Sequence, residues 1–415
     1  MKQSSDQTKI LAKNSAIVFA GSMGANIISY VYHLLLGRML GPSGYGELSS
    51  LFSILYIFTV PLLVGQTVLV KFISNIKATG TLSQAKSLFI GVTKMCLLGC
   101  VAMIPIVILF SGTITQFLHL SSPILFILVY LLFVVTLLST ITASVLQGYQ
   151  QFMWFSVLTL VVLIIKVILS VSFVPWGVTG VLIAAIIASV SVYGVYYFPL
   201  KDMLNTTSTT PGIEKKDALS FGIPTLLSLL GITSLYTTDI ILVRHYFSSA
   251  EAGMYAAIAI LGKIIYYASS AVSQVMFPVL SEKVAKKQTT NTLIMTSLLS
   301  VTAISAVLSG LYFLFPEFIV KMLFGNAYAG AAGVLGQFGM FIALFSIGNI
   351  ITMANLAIGR TGVWFVPIIC AILQIISIMY IHTTILSVIA VNIGVSTLLV
   401  IGTIGYYMIH SYEKI

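Results

Sequence analysis

Three lysines and one aspartate sit where charge is costly. Lys94, Lys166, Lys263 and Asp239 each lie inside a long apolar run. A charged side chain at the centre of a bilayer costs at least about 2.5–3.5 kcal/mol, so such residues tend to mark sites of function. Lys166, in VLIIKVILS, stands about 18 Å into its run at the helical rise, and Lys263 lies at similar depth in its own. Both are too deep to reach water easily. Lys94 is shallower, about 10 Å in. An ammonium is a compact charge that can follow a mobile anion, whereas a guanidinium grips phosphate with two prongs. One deep lysine in each half of the chain therefore suits a polar cavity for an anionic cargo. The plainer alternative for each lysine is a carbonyl or hydroxyl partner inside its own bundle. Asp239, in LYTTDIILVR, could couple a proton or sodium ion, pair transiently with a cavity lysine, or bridge statically to Arg244.

The elements that hold these residues follow from composition. The 415 residues are 59% hydrophobic and only 7% charged, against about 25% charged in soluble domains. Such a chain cannot cover a water-facing surface. Apolar stretches of roughly 20 residues recur, each long enough to cross about 30 Å of hydrocarbon. They do not alternate as barrel strands would. The first run is too long for a signal peptide. Twelve helical spans are expected, near 15–37, 46–69, 87–110, 123–147, 154–174 and 178–199, then 219–243, 252–276, 292–315, 331–354, 362–384 and 386–409. The polar segment 201–217 reads as a linker between an N-terminal six-helix lobe (1–200) and a C-terminal one (218–415).

Charge orients the spans. With the N-terminus inside, fourteen Lys and Arg fall in cytoplasmic segments and three, Arg38, Arg244 and Lys321, on the other side. That bias follows the positive-inside rule and predicts both termini in the cytoplasm of a multi-pass cell-membrane protein. The net charge of +10 is accounted for in this way, and nucleic acid is not an expected partner. Cys96, Cys100 and Cys370 lack the His or second cysteine pair of a metal site. No Walker loop or supported Ser-His-acid set is present, and no long outer loop carries paired carboxylates. No enzyme activity, cofactor or metal is expected.

The phrase GRMLGPSGYG (37–46) is answered by LVRHYFSSAEAGMY (242–255), about half a chain away. Each closes the first span of a half and opens the second, which predicts parallel repeats about an axis along the membrane normal. Gly41, Pro42 and Gly44 suit a tight turn. Arg38 and Arg244 end helices, where a cation meets the negative dipole end. Each either snorkels to headgroups or faces a cavity. Glu47, Glu251 and Glu317 are expected in water at outer helix ends, and His33 as a packing residue. Trp154 and Trp176 bracket the fifth span as interfacial anchors.

GRMLGPSGYGELSSLFSI resembles the opening of the polysaccharide exporters, the Wzx-type flippases of the O-antigen pathway. LQGYQQF (146–152), FPVLSEKVAKK (277–287) and LFGNAYAGAA (323–332) agree with that family in order and spacing. Gln151 departs from it, since relatives often carry arginine after LQGxQ. The resemblance implies an all-α membrane protein of two facing lobes forming a V, like the MATE exporters. It implies flipping of a polyprenyl-diphosphate-linked oligosaccharide, among membrane lipids and beside polymerase and chain-length proteins. Lys263, Lys166, Lys94, Arg38 and Arg244 would then line the cavity, with Asp239 coupling an ion. The rival readings are a MATE-type drug or metabolite exporter, which would favour acidic cavity residues, and a membrane enzyme of glycan assembly.

Overall fold

A computed structural model describes residues 2–206 and 216–412. Among them every regular element is helical. Ten stretches are long and apolar enough to cross a membrane. Two of these, Ala20–Ala78 with 59 residues and Phe152–Val195 with 44, far exceed the roughly 20 residues one crossing needs. Each is broken once near its middle. The helix Lys2–Thr79 is interrupted at Gly41, whose φ of 67° is open to glycine. The second stretch is broken by the 3₁₀ turn Val174–Trp176 and by Gly177, with φ of 65°. Counting both halves of each gives the twelve expected crossings. Trp154 and Trp176 are both exposed at the two ends of the fifth.

The seventh crossing departs from expectation. Instead of one helix over 219–243, Lys216–Leu235 stops and Thr238–Tyr246 restarts after a two-residue break at Tyr236 and Thr237. Thr237 Oγ1 donates to the Thr233 carbonyl at 2.6 Å, and Ser234 and Thr238 hydroxyls meet at 2.8 Å. A broken helix is tolerated at membrane depth when such groups satisfy the freed backbone. The sixth crossing also runs further than expected. Tyr197–Leu204 follows Gly177–Val195, so the first residues of the expected linker are helical. Lys86 holds its end by donating to the Thr206 carbonyl at 2.6 Å. The linker's last two residues, 216–217, open Lys216–Leu235, and 207–215 lie outside the described residues.

The chain divides into two compact units, 1–39 with 61–218, and 40–60 with 219–415. The second crossing thus begins in one unit and ends in the other, changing at Pro61. In the first unit, Gly177–Val195 packs on both Phe152–Phe173 and Ile124–Gly148, and Leu82–Phe117 on Ile124–Gly148. A reciprocal capping box between Thr81 and Gln84 starts Leu82–Phe117, closing two orphan amides at that end. In the second unit the central element is Ala332–Ala357. It packs on Ser249–Ala285, Asn291–Leu314 and Ile385–Tyr412, burying Phe338, Phe341 and Phe345.

Candidate functional site

The break in the seventh crossing sets Asp239 in the first turn of Thr238–Tyr246. There the helix's positive end favours an anion. Asp239 is 1% exposed. Its Oδ1 accepts the Ile240 amide at 2.9 Å. Its Oδ2 accepts the Tyr255 hydroxyl at 2.6 Å and Asn392 Nδ2 at 3.2 Å. Asn392 also donates to the Tyr255 oxygen at 2.9 Å. Gln374 Nε2 completes the set, donating to Asn392 Oδ1 and to the Leu235 carbonyl freed by the break, both at 2.9 Å. These bonds satisfy both carboxylate oxygens in a dry site. The carboxylate thus spends its bonds on Tyr255 and Asn392.

Lys263 lies in the same unit and attracts Asp239 electrostatically. It is buried, 5% exposed. Its Nζ lies 4.7 Å from the Tyr56 ring centroid and 5.7 Å from that of Tyr236. Tyr236 stacks on Tyr266 at 5.3 Å, and both lie against Phe345. Ring faces are negative, so they stabilise a desolvated ammonium by up to about 2 kcal/mol. That is less than the charge loses on leaving water, so the site keeps a net demand for an anion. Tyr236 is one of the two break residues, and Asp239 follows it by three positions. One backbone interruption therefore serves both the cation and the acid.

The two repeated phrases meet within the second unit. A Cβ on Gly253 would fall 1.7 Å from the Pro42 carbonyl oxygen, and one on Gly46 would fall 2.8 Å from the Gly253 nitrogen. Only glycine permits this approach of backbone to backbone. Tyr45, fully buried, lies against Phe324, which in turn meets Tyr328 of the LFGNAYAGAA phrase. Glu47 and Arg244 are buried at 7% and 4% exposure, and the charge of Glu47 acts on Arg244. Glu47, expected in water, is buried instead. The close glycine contact draws both beneath the surface, where opposite charges offset each other's desolvation. The outer acids Glu251 and Glu317 are exposed as expected, and Lys321 donates to Glu317 at 2.8 Å.

In the first unit Lys166 is partly buried, with Nζ 4.4 Å from the Tyr32 ring centroid. Tyr32 accepts a long hydrogen bond from Ser170 at 3.5 Å and meets His33 edge to face. Lys94 and Arg38 are exposed. Arg38 and Arg244 hold corresponding places in the repeat yet differ sharply in burial. At LQGYQQF, Lys77 donates to the Tyr149 carbonyl at 2.9 Å and to Gln150 Oε1 at 3.0 Å. A cation thus reaches this turn from the second crossing, although Gln151 stands where relatives carry arginine.

The described residues contain no group of three or more His, Cys, Asp or Glu fit for a metal ion. Asn392 Oδ1 is taken up by Gln374, whose own Oε1 has no hydrogen-bond partner among the described residues. Sequence reasoning missed Tyr255, Gln374 and Asn392, and also Tyr56 and Tyr236. The signal available for the amides was their isolation in AILQII and AVNIG.

A family model described as polysaccharide biosynthesis protein matches residues 11–284. The chain belongs to that family. Its fold is that of known transporters of lipids and drugs. The lipid II flippase MurJ, in an inward closed conformation, is similar with a TM-score of 0.74 at 15% identity, over 95% of this chain and 87% of that one. A multidrug resistance MATE family transporter in the inward-facing conformation has a TM-score of 0.71 at 14% identity, over 94% of each chain. A Vibrio cholerae MATE transporter has 0.60 at 14% identity, over 100% and 98%. No curated protein matches the chain. Family and fold together support a multi-pass membrane transporter or flippase.

Proposed function

We propose that this protein flips a polyprenyl-diphosphate-linked oligosaccharide across the cytoplasmic membrane by alternating access, supplying surface polysaccharide assembly. The observation that carries this reading is Lys263, a buried ammonium lodged among tyrosine rings. Such a site attracts an anion and offers flat faces to sugar rings. Membership of a polysaccharide biosynthesis family supports the glycan half of the cargo. Lys166, Lys94 and Arg38 serve as further contacts for the diphosphate along its path. Asp239, with Asn392 and Gln374, couples the cycle to a proton or sodium ion. The two sequence halves act as lobes, related by an axis along the membrane normal, that rock against each other, with the termini in the cytoplasm. The contact of Gly46 and Gly253, sealed by Glu47 and Arg244, is the closure that opens on release. No bond in the cargo is made or broken.

Lys263→Ala tests the reading. Surface polysaccharide is expected to fall at least ~10-fold, the equivalent of about 1.4 kcal/mol in the limiting step, at unchanged membrane abundance. Tolerance to cationic drugs is expected to stay the same. Full polysaccharide export by this variant, or loss of drug tolerance without loss of polysaccharide, contradicts the proposal.

A further inference from the structure

The last two crossings enclose a groove that the flippase reading does not use. Its volume is about 500 Å³, and it is lined by Gly362, Phe365, Gly402, Gly405, Tyr406, Ile409 and His410. Two of its glycines let neighbouring side chains pack closely and the third leaves it open. A Cβ on Gly362 would fall 2.6 Å from the Tyr406 hydroxyl and one on Gly402 would fall 2.8 Å from Val366 Cγ1, whereas the space beside Gly405 is open. Gly402 and Gly405 are three residues apart on one helix face, about 4.5 Å along the axis. That spacing is close to the interval between methyl branches on a polyisoprenoid. The rim stays open to the bilayer, with Phe365 42% and Ile409 63% exposed.

One end of the groove is basic. His410 lines it, its Nδ1 3.0 Å from the Tyr406 carbonyl. Arg360, two residues before Gly362, donates to the Tyr407 carbonyl at 2.7 Å and lies over the Tyr407 ring. Among the described residues no carboxylate lines the groove. This is the end that the charge bias assigns to the cytoplasm. An apolar channel with the Arg360 guanidinium near its interfacial end matches an amphiphile with a long tail and a phosphate head.

We propose that this groove seats the polyprenyl chain of the lipid-linked cargo, with Arg360 and His410 at its phosphate end. The proposal rests on the flippase reading and names the part of the cargo that stays in lipid. The chain then remains on the outside of the second unit while the glycan moves through the interior.

The test is lipid retention by the full-length protein in detergent, read by native mass spectrometry. Undecaprenyl monophosphate competes with phosphatidylglycerol. The wild type is expected to keep the polyprenyl lipid with a preference of at least ~10-fold, about 1.4 kcal/mol. Gly405→Leu, which fills the groove, is expected to remove that preference, and Arg360→Gln to reduce it. Should Gly405→Leu fail to fold, Gly405→Ala decides by a partial loss at unchanged melting temperature. Equal retention of both lipids by the wild type overturns the proposal and marks the groove as an ordinary phospholipid site. Retained preference in a folded Gly405→Leu overturns it as well. Either result, combined with lost export in Lys263→Ala, leaves the flippase reading standing. A groove preference that Gly405→Leu removes, with full export by Lys263→Ala, supports the groove and sinks the reading.

Discussion

Both units set a lysine over a tyrosine ring inside an apolar helix, but their surroundings differ. Lys263 is buried, lies between Tyr56 and Tyr236, and feels the charge of Asp239. Lys166 is only partly buried above Tyr32. Arg244 and Arg38 repeat the contrast, one sunk beside the charge of Glu47 and one exposed. The second unit therefore gathers buried charges of both signs, whereas in the first Lys166 lies deep but less covered and Arg38 is exposed. A buried charge interacts through a low dielectric and resists screening. Chemistry that depends on strong, exclusive attraction belongs in the second unit. Guidance of a moving anion belongs in the first.

The sharpest way to break this contrast is to neutralise the acid. Asp239→Asn keeps the shape of the network but removes the charge that acts on Lys263. It also turns an acceptor set into one that competes with the Asn392 amide for the same hydrogen bonds. Export in membrane vesicles driven by an imposed ion gradient is expected to fall at least ~10-fold, about 1.4 kcal/mol. The matching expectation is that the remaining export no longer responds to the gradient. A variant that keeps full, gradient-dependent export places ion coupling elsewhere and removes the chief distinction between the units.

A second variant asks whether the glycine contact matters beyond packing. The added methyl in Gly253→Ala would collide with the Pro42 carbonyl, and over-packing costs typically about 1–3 kcal/mol. The expected outcome is a lower melting temperature together with lost export. Gly65→Ala is the control, since a Cβ there meets nothing within 4 Å, and it is expected to behave as wild type. If Gly253→Ala exports normally, the backbone contact is not a closure that cycles.

Much of this organisation was legible in the sequence. Hydropathy alone marks the long apolar helices, because lipid leaves the chain few other options. Gly41 and Pro42 announce the turn, because a positive φ and a fixed φ in succession stop a helix. The depth of Lys263 and Asp239 could be counted along their spans. What could not be read was partnership. The i and i+5 spacing of Asp239 and Arg244 left a local bridge open, while the acid's side-chain partners Tyr255 and Asn392 lie 16 and 153 residues away. The break at Tyr236 and Thr237 was equally hidden, because it lacks Pro or Gly and depends on threonine and glutamine side chains capping the free backbone. Burial of Glu47 was missed because a glutamate beside a turn normally faces water. Here a glycine on a distant helix lets the turn sink.

The smallest effect is expected at the other lysine. Lys166→Ala removes an ammonium that sits over one ring and is partly open to its surroundings. A cation–π contact of this kind contributes about 0.5–2 kcal/mol, so export is expected to drop several-fold without being abolished. Lys166→Arg should restore most of it, because a guanidinium also stacks on a ring and attracts phosphate. The same exchange at Lys263 should restore little. Lys263 is buried with its ammonium beside the Tyr56 and Tyr236 rings, and a larger planar fork has less room there than at the partly exposed Lys166. Polysaccharide yield from the four variants, at matched membrane abundance, compares the two sites directly. Equal losses for both alanine variants, with equal rescue by arginine, would mean that burial does not divide the labour between the units. The cations would then act as one chain of equivalent stepping points.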